Sequence, residues 1–344
     1  LLAIYVSTLD PNYSRSGAIF ASDPGAKVFI KFPSERLKQV RKILELKRKH
    51  NPNDACIVLM SPNHILVPFF RVLSRFQVIL DAGWPLSDST QNITKRGLKP
   101  KQILNRLIDK VSFTLANQVV LESKNQIASV EERFEISGAK LFWIFTGFNE
   151  LEFSKAKENP EIPAECRYEY DKGKQFVFFR GKSNSESGLD LVLSAARLLK
   201  NDVNFVLATN TTIVPGSPNV IVINRFVSIE ELVWLYTHST LVLGQISNME
   251  RLNRTLPHKL FEAAYFSKCY VSPPSPALFE LLNEDSFISV STITPVGLSE
   301  SIKKGLLDEE LRSQCEKNIN QNYLENASQL FLGARMREII ETKK

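Results

Sequence analysis

The chain of 344 residues is 43% hydrophobic and 23% charged, with 43 Lys and Arg against 37 Asp and Glu for a formal charge of +6. Such a composition belongs to a globular protein long enough for two domains. It excludes a membrane-spanning helix, because no apolar run approaches the roughly 18 residues a span needs. The opening "LLAIYVS" is too short for a secretory signal and lacks a basic lead-in, so it reads as a buried first strand. Cys56, Cys166, Cys269 and Cys315 are scattered, with no C-x-x-C pair and no histidine at zinc spacing. Reduced thiols and a cytoplasmic location are the expectation. The charge is uneven: residues 1–150 hold 21 Lys and Arg against 13 Asp and Glu, and the remainder 22 against 24. Different partners are therefore expected for the two halves.

Strand-like and helical runs alternate along the chain. "LAIYVS" and "AKVFIKF" precede the helical "SERLKQVRKILELKRKH". Then come "ACIVLM", helical "HILVPFFRVLSRF", "QVILDAG", helical "KQILNRLIDKVSFTLA", "QVVLES", a helix to about Phe134, and "KLFWIF". The strands are continuous apolar runs, as parallel strands covered on both faces should be. The polar "NELEFSKAKENPEIPAECRYEYDKGK" breaks the pattern and reads as a linker. Alternation resumes with "QFVFFRG", "LDLVLSAARLL", "VNFVLAT", "NVIVINRF", "IEELVWLYTH" and "LVLGQI", and a helical tail closes the chain. The expected fold is α/β, with two Rossmann-like doubly wound parallel-sheet domains at 1–150 and 175–326. Residues 151–174 would link them, and a helix at 327–344 would pack back on the first. Such sheets bind ligands at the carboxyl ends of their strands, so the candidate site is a cleft between two facing units.

Two strand–loop–helix turns look suited to an anion. In "FFRGKSNSESGLDLVLSAA" the helix starting near Gly188 leaves unpaired N–H groups, and Lys182 adds a charge. Most turns of this kind bind nothing. In "RTLPHKLFEAAYFSKCYVSPPS", Pro257 suits the first helical turn, where its missing N–H is no loss. Leu260, Phe261 and Ala264 make the core stripe, leaving Lys259 and Glu262 nearer the cleft. The plain alternative for that pair is a surface i,i+3 ion pair worth about 0.2–0.5 kcal/mol.

These residues carry a resemblance. The second half resembles the donor domain of GT-B glycosyltransferases, above all the large retaining family numbered four. Gly181-Lys182 and Ser187-Gly188-Leu189-Asp190 fall where that family has a Gly-Arg pair and a Lys-Gly helix start. "VSIEELVWLYTHSTLVLGQI" and "LPHKLFEAAYFSKCYVS" look like two further family signatures, the second the more specific. The likeness is strong over about 175–285 and looser in the first half. It implies that Glu262 accepts from the ribose hydroxyls of a nucleotide-sugar donor. Lys259 and the helix N-terminus would hold the diphosphate or the sugar, and Arg225 and Phe226 would sit near the base. Gly181, Lys182, Gly188, Arg254 and Pro257 complete the expected donor site, with no metal or other cofactor required. Three departures stand out: Arg254 occupies the place of a family glutamate, Ser187 that of a lysine, and Lys182 that of an arginine. The expected activity is sugar transfer from a nucleotide donor to a glycan or lipid-linked hydroxyl acceptor, with retention. A sugar-nucleotide epimerase and a noncatalytic sugar-nucleotide- or glycan-binding relative are the alternatives.

In the acceptor half, "STLDPNYSRSG", "SPNHI" and "DAGWPLSDS" would line the cleft. Asp81, at a strand end, is the leading acceptor-side and catalytic candidate beside Lys182, Lys259 and Glu262, although an aspartate tying a turn fits equally well. Asn63, His64, Trp84 and Gly17 join it, with Arg15 facing the diphosphate. Residues 36–49 are basic around a stripe of Leu37, Val40 and Leu44, and residues 95–110 are basic too. They suit an anionic membrane surface or merely a solvated helix face. No nucleic-acid-binding motif is present.

Overall fold

A computed structural model of the chain describes residues 1–9, 14–90, 100–167 and 175–342. It divides into two compact units, Leu1–Asn149 with Ser328–Lys344, and Glu150–Ala327.

The first unit is a six-stranded parallel sheet in the order β2-β1-β3-β4-β5-β6. Its strands are β1 Leu2–Ser7, β2 Lys27–Lys31, β3 Ala55–Met60, β4 Gln77–Gly83, β5 Gln118–Leu121 and β6 Leu141–Trp143. The chain runs outward from β1 to β2 and then returns to the other side of β1, which makes β1/β3 the switch point. Helices α1 Ser14–Ser22, α2 Arg36–Lys49, α3 Leu66–Leu73, α4 Pro100–Leu115 and α5 Lys124–Phe134 connect the strands. Ile43 and Leu46 of α2, Phe70 of α3, Phe113 of α4 and Phe134 of α5 join Ile4, Ile57 and Leu80 in one core cluster. Those four helices therefore share a face of the sheet. Because strand side chains alternate, Tyr5 points to the other face, where its ring meets Phe20 of α1 edge-on.

That second face is closed by Gln329–Glu341, the last helix of the chain, which packs along α1. Gly333 permits the approach, since a Cβ there would lie 2.2 Å from the Ser22 carbonyl oxygen. The contact centres on Asp23. Its carboxylate receives Nε and Nη2 of Arg337 at 2.8 Å each and the Tyr5 hydroxyl at 2.7 Å.

The second unit repeats the design in the order β12-β11-β10-β7-β8-β9. Its strands are β7 Phe176–Arg180, β8 Asn204–Thr209, β9 Val220–Asn224, β10 Leu241–Leu243, β11 Cys269–Ser272 and β12 Ile288–Ser289. Here the switch point lies between β7 and β10. Helices α6 Glu150–Ala156, α7 Leu189–Leu198, α8 Ile229–His238, α9 His258–Tyr265, α10 Pro295–Leu307 and α11 Glu309–Asn326 surround it. Ser228 and Glu231 form a reciprocal capping box that fixes the start of α8. The expected linker at 151–174 needs correction. Its first part is helical α6, which groups with the second unit, because Phe153 and Ala156 find a core to enter. Residues 168–174 lie outside the described residues. All four cysteines are free and buried, and no helix among the described residues is long and apolar enough to cross a membrane.

The Asp23–Arg337 pair is almost fully enclosed, with side chains 0% and 9% exposed. Removing one partner of such a pair strands a buried charge. Arg337→Ala is expected to cost about 3–5 kcal/mol, and adding Asp23→Asn should recover part of it. Urea denaturation of the wild type and both variants checks this.

Candidate functional site

A pocket of about 350 Å³ opens in the second unit at its switch point, within the size range of small-ligand sites. Its walls come from the carboxyl ends of β7, β8 and β9, the loop after β10, and the start of α9. Arg180, Gly181 and Lys182 come from the end of β7, Thr209 and Asn210 from β8, and Arg225 and Phe226 from β9. Pro257, His258 and Lys259 come from α9.

The floor is an ionic cluster. Nη1 of Arg180 lies 2.6 Å from both carboxylate oxygens of Glu262, and the Tyr236 hydroxyl donates to Oε2 at 2.5 Å. Burial works to raise the Glu262 pKa, but Arg180 and the two hydrogen bonds outweigh it and hold the carboxyl below its usual range. Burial and the neighbouring carboxylate push the Tyr236 phenol well up, so it stays a donor. Attraction to Glu262 raises the Arg180 pKa against the effect of burial. Arg180 keeps its side chain 37% exposed and lines the pocket, whereas Glu262, 4% exposed, does not reach the wall. The alternative of a surface ion pair between Lys259 and Glu262 does not form; each has taken another partner. Arg180 is the residue the sequence reading missed. Its signal was a guanidinium ending an otherwise apolar strand, in "FFRG".

Lys259 is also buried. Its ammonium lies 2.7 Å from the Gly244 carbonyl oxygen and 4.4 Å from the centre of the Phe179 ring. Burial first and Arg180 second, opposed by Glu262, push its pKa down to about 7. Pro257 stands one place before the helix as its N-cap, and its carbonyl accepts from Leu260 N–H at 2.9 Å. The first turn of α9 thus starts at the pocket with its orphan N–H groups and partial positive charge.

The turn after β7 is tightly specified. Gly188 has φ +68°, and a Cβ there would lie 2.1 Å from the Ile246 carbonyl oxygen, so only glycine fits. Ser187 is buried; its hydroxyl donates to the Asn184 carbonyl at 2.9 Å, and its N–H donates to the Asn184 side chain at 2.9 Å. It closes the loop instead of offering a hydroxyl. Lys182 is exposed at the rim.

At the β9 end Phe226 is 89% exposed on the pocket side, a free aromatic face. Arg225 beside it is anchored by Glu165 and, bidentately, Glu231, at 2.6–3.1 Å. Arg254, expected to assist at the phosphates, is absent from this wall and pairs instead with Glu250 at 2.7 Å. Their i,i+4 spacing across a short 3₁₀ turn favours that pairing.

In the first unit the acceptor-side candidates turn inward. Asp81 is 1% exposed and accepts from Nε of Arg15 at 2.9 Å. Arg15 also donates to the Ile144 carbonyl. Asp81 thus ties α1 to the strand ends and is not placed as a free base, and Arg15 is equally buried. Asn63 fastens the ends of β1 and β3, accepting from Thr8 Oγ1 at 2.8 Å and donating to the Met60 carbonyl at 2.7 Å. His64 is no loop residue in solvent. It is fully buried against Phe113, its Nε2 3.9 Å from Asp109 Oδ1, and burial lowers its pKa to about 4. Gly17 lies buried within α1, and Trp84 is half-buried after β4.

Solved structures resemble this chain over nearly its whole length at low identity. Anabaena HepE in complex with UDP-glucose has a TM-score of 0.71 at 10% identity, covering 99% of this chain and all of that one. Sucrose-phosphate synthase from Thermosynechococcus elongatus gives 0.70 at 12%, covering 98% of each chain. The UDP-forming trehalose-phosphate synthase from Burkholderia vietnamiensis gives 0.70 at 9%, covering 99% of this chain and 97% of that one. No protein-family model matches the sequence, and no curated protein matches it. The fold is that of the GT-B proteins.

Arg180→Ala leaves Glu262 buried without its cation. A fully enclosed pair would lose about 3–5 kcal/mol, and the open side of Arg180 reduces this to about 2 kcal/mol. Combining it with Glu262→Gln should restore roughly half of that loss. Thermal denaturation of the double-mutant cycle measures both.

Proposed function

We propose that the protein is a GT-B glycosyltransferase carrying a sugar from a nucleoside-diphosphate sugar to a hydroxyl acceptor, a glycan or lipid-linked glycan. The observation that carries this reading is the pocket of the second unit. It combines the cationic side chains of Arg180, Lys182, Arg225 and Lys259 with a helix N-terminus and an exposed aromatic ring. That set matches the parts of a nucleoside diphosphate. The ring of Phe226 offers a stacking surface to the base, while Arg180, Lys182 and the first turn of α9 offer charge and N–H groups to the phosphates. The GT-B likeness supports the same assignment. Buried free cysteines support a reducing, cytoplasmic setting.

The chemistry follows from charge. As the sugar leaves, negative charge grows on the departing diphosphate, and fixed cations with a helix dipole stabilise it without reorganisation. Glu262 acts through Arg180, holding the guanidinium in one orientation. This replaces the direct ribose contact expected from the resemblance. Retention of configuration is carried over from that resemblance. Because the side chains named here already supply positive charge, the reaction is assigned no metal.

Lys182→Ala and Arg180→Lys are each expected to lower kcat/KM at least tenfold, about 1.4 kcal/mol of transition-state stabilisation. EDTA should leave turnover unchanged. Release of nucleoside diphosphate from a panel of UDP- and GDP-sugars, with and without hydroxyl acceptors, measures both. Interconversion of the free donor would assign an epimerase instead. Donor binding with no turnover on any acceptor would assign a noncatalytic relative.

Lys259 makes nucleotide binding depend on pH. A bound diphosphate favours the charged amine and so raises its pKa from about 7. Below that value the amine is already protonated in the empty protein, and its affinity term is complete. Above it, binding must take up a proton, so affinity falls by up to about tenfold per pH unit. Titration calorimetry with UDP or GDP between about pH 7 and 9 should show this slope in wild type and lose it in Lys259→Met. Equal slopes would place the proton elsewhere.

A further inference from the structure

Helix α4 is mounted with its apolar side outward. Gln102, Asp109 and Ser112 face the protein beside Phe113. Ile103, Leu104, Leu107, Val111 and Leu115 are 56, 56, 60, 37 and 38% exposed. Their spacing places them in one stripe down the length of the helix. Neighbouring helices of the same layer expose apolar residues too. Helix α3 packs against both α2 and α4 in one layer and exposes Val72, and α2 exposes Leu37 and Leu44. The stripe expected on α2 from Leu37, Val40 and Leu44 therefore faces away from the core, which takes Ile43 and Leu46 instead. An exposed apolar stripe such as that of α4 marks an interaction surface.

The charges around it are mostly positive. Arg41, Arg48 and Lys49 surround Leu44 together with Glu45, and Lys101 and Arg106 are exposed on α4. The acids of α2 and its cap are already taken, Glu35 by Lys38 and Glu45 by Lys42. Asp109 is buried, receiving N–H bonds from Leu86 and Ser87. Lys95, Arg96 and Lys99 lie outside the described residues.

We propose that the α2–α3–α4 layer docks on an anionic lipid surface. The leucines of α4 would enter the boundary between headgroups and acyl chains, and the flanking cations would meet lipid phosphates. Charge complementarity selects this occupant. A second copy of the same face would set cations against cations, whereas anionic headgroups match an apolar stripe edged with Lys and Arg. The proposal is independent of the chemistry assigned to the second unit.

Cosedimentation of the full chain with phosphatidylcholine vesicles, with and without phosphatidylglycerol, tests it. Binding to the anionic vesicles should be at least tenfold tighter, and added salt should weaken that preference. The exposed pair Leu104→Glu with Leu107→Glu should lower binding to anionic vesicles at least tenfold without changing the melting temperature. Arg41→Glu with Arg48→Glu should remove most of the anionic preference. Equal binding to both vesicle types, or undiminished binding of the leucine variant, overturns the proposal. So does self-association in sedimentation velocity that the leucine variant abolishes, which would assign the face to a second copy.

Discussion

The second unit depends on a carboxylate placed where a carboxylate is costly. Glu262 sits on a helix packed into an apolar core and remains ionised because Arg180 and Tyr236 reach it from two other elements. This three-way bond joins the end of β7, the helix after β9 and the helix after β10, the segments that shape the pocket. The arrangement also orders the cations by their exposure. Arg180 is held half open beside its partner, and Lys259 is buried in a site that disfavours charge. The pocket therefore combines permanent positive charges, Arg180 and the exposed Lys182 among them, with one that a ligand must help to create.

The two halves use their cations differently, which accounts for the uneven charge along the chain. In the second unit, Arg225, Arg251 and Arg254 are matched to Glu165 and Glu231, Glu186 and Glu250 respectively. That matching keeps the second half near neutral. In the first half the excess cations stand on the outer sides of helices, where water solvates them. Net charge near zero here reflects architecture, and net charge far from zero reflects surface.

Both sheets were legible because parallel strands covered on two faces must be continuously apolar; "ACIVLM" and "NFVLAT" have no other good reading. The helix at 258 was legible to within a residue from Pro257. What local pattern does not contain is long-range pairing. Arg180 lies 82 residues from Glu262, and Arg15 lies 66 from Asp81. Asp81 therefore looked like an isolated charge at a strand end, available for a ligand, and Arg180 was passed over. The family pattern also drew attention to Lys182 as the arginine's replacement and away from Arg180 two places earlier. His64 looked like a candidate on a loop lining the cleft, but Phe113, far along the chain, packs against it. On α2 both Leu37/Val40/Leu44 and Gln39/Ile43/Leu46 fit a helical period. The choice between them belongs to the sheet beneath.

Arg337 and Asp23 are separated by 314 residues of chain, and the whole second unit lies between them. During synthesis β7 to β12 are all present before the last helix has been made. The second unit can thus complete its sheet while the first still lacks the guanidinium for Asp23 and the helix that covers Tyr5. Closing so long a loop is slow compared with pairing neighbouring strands. The first unit, although its strands precede those of the second in the chain, is accordingly the later of the two to finish folding, and its uncovered sheet face is the surface a chaperone would meet.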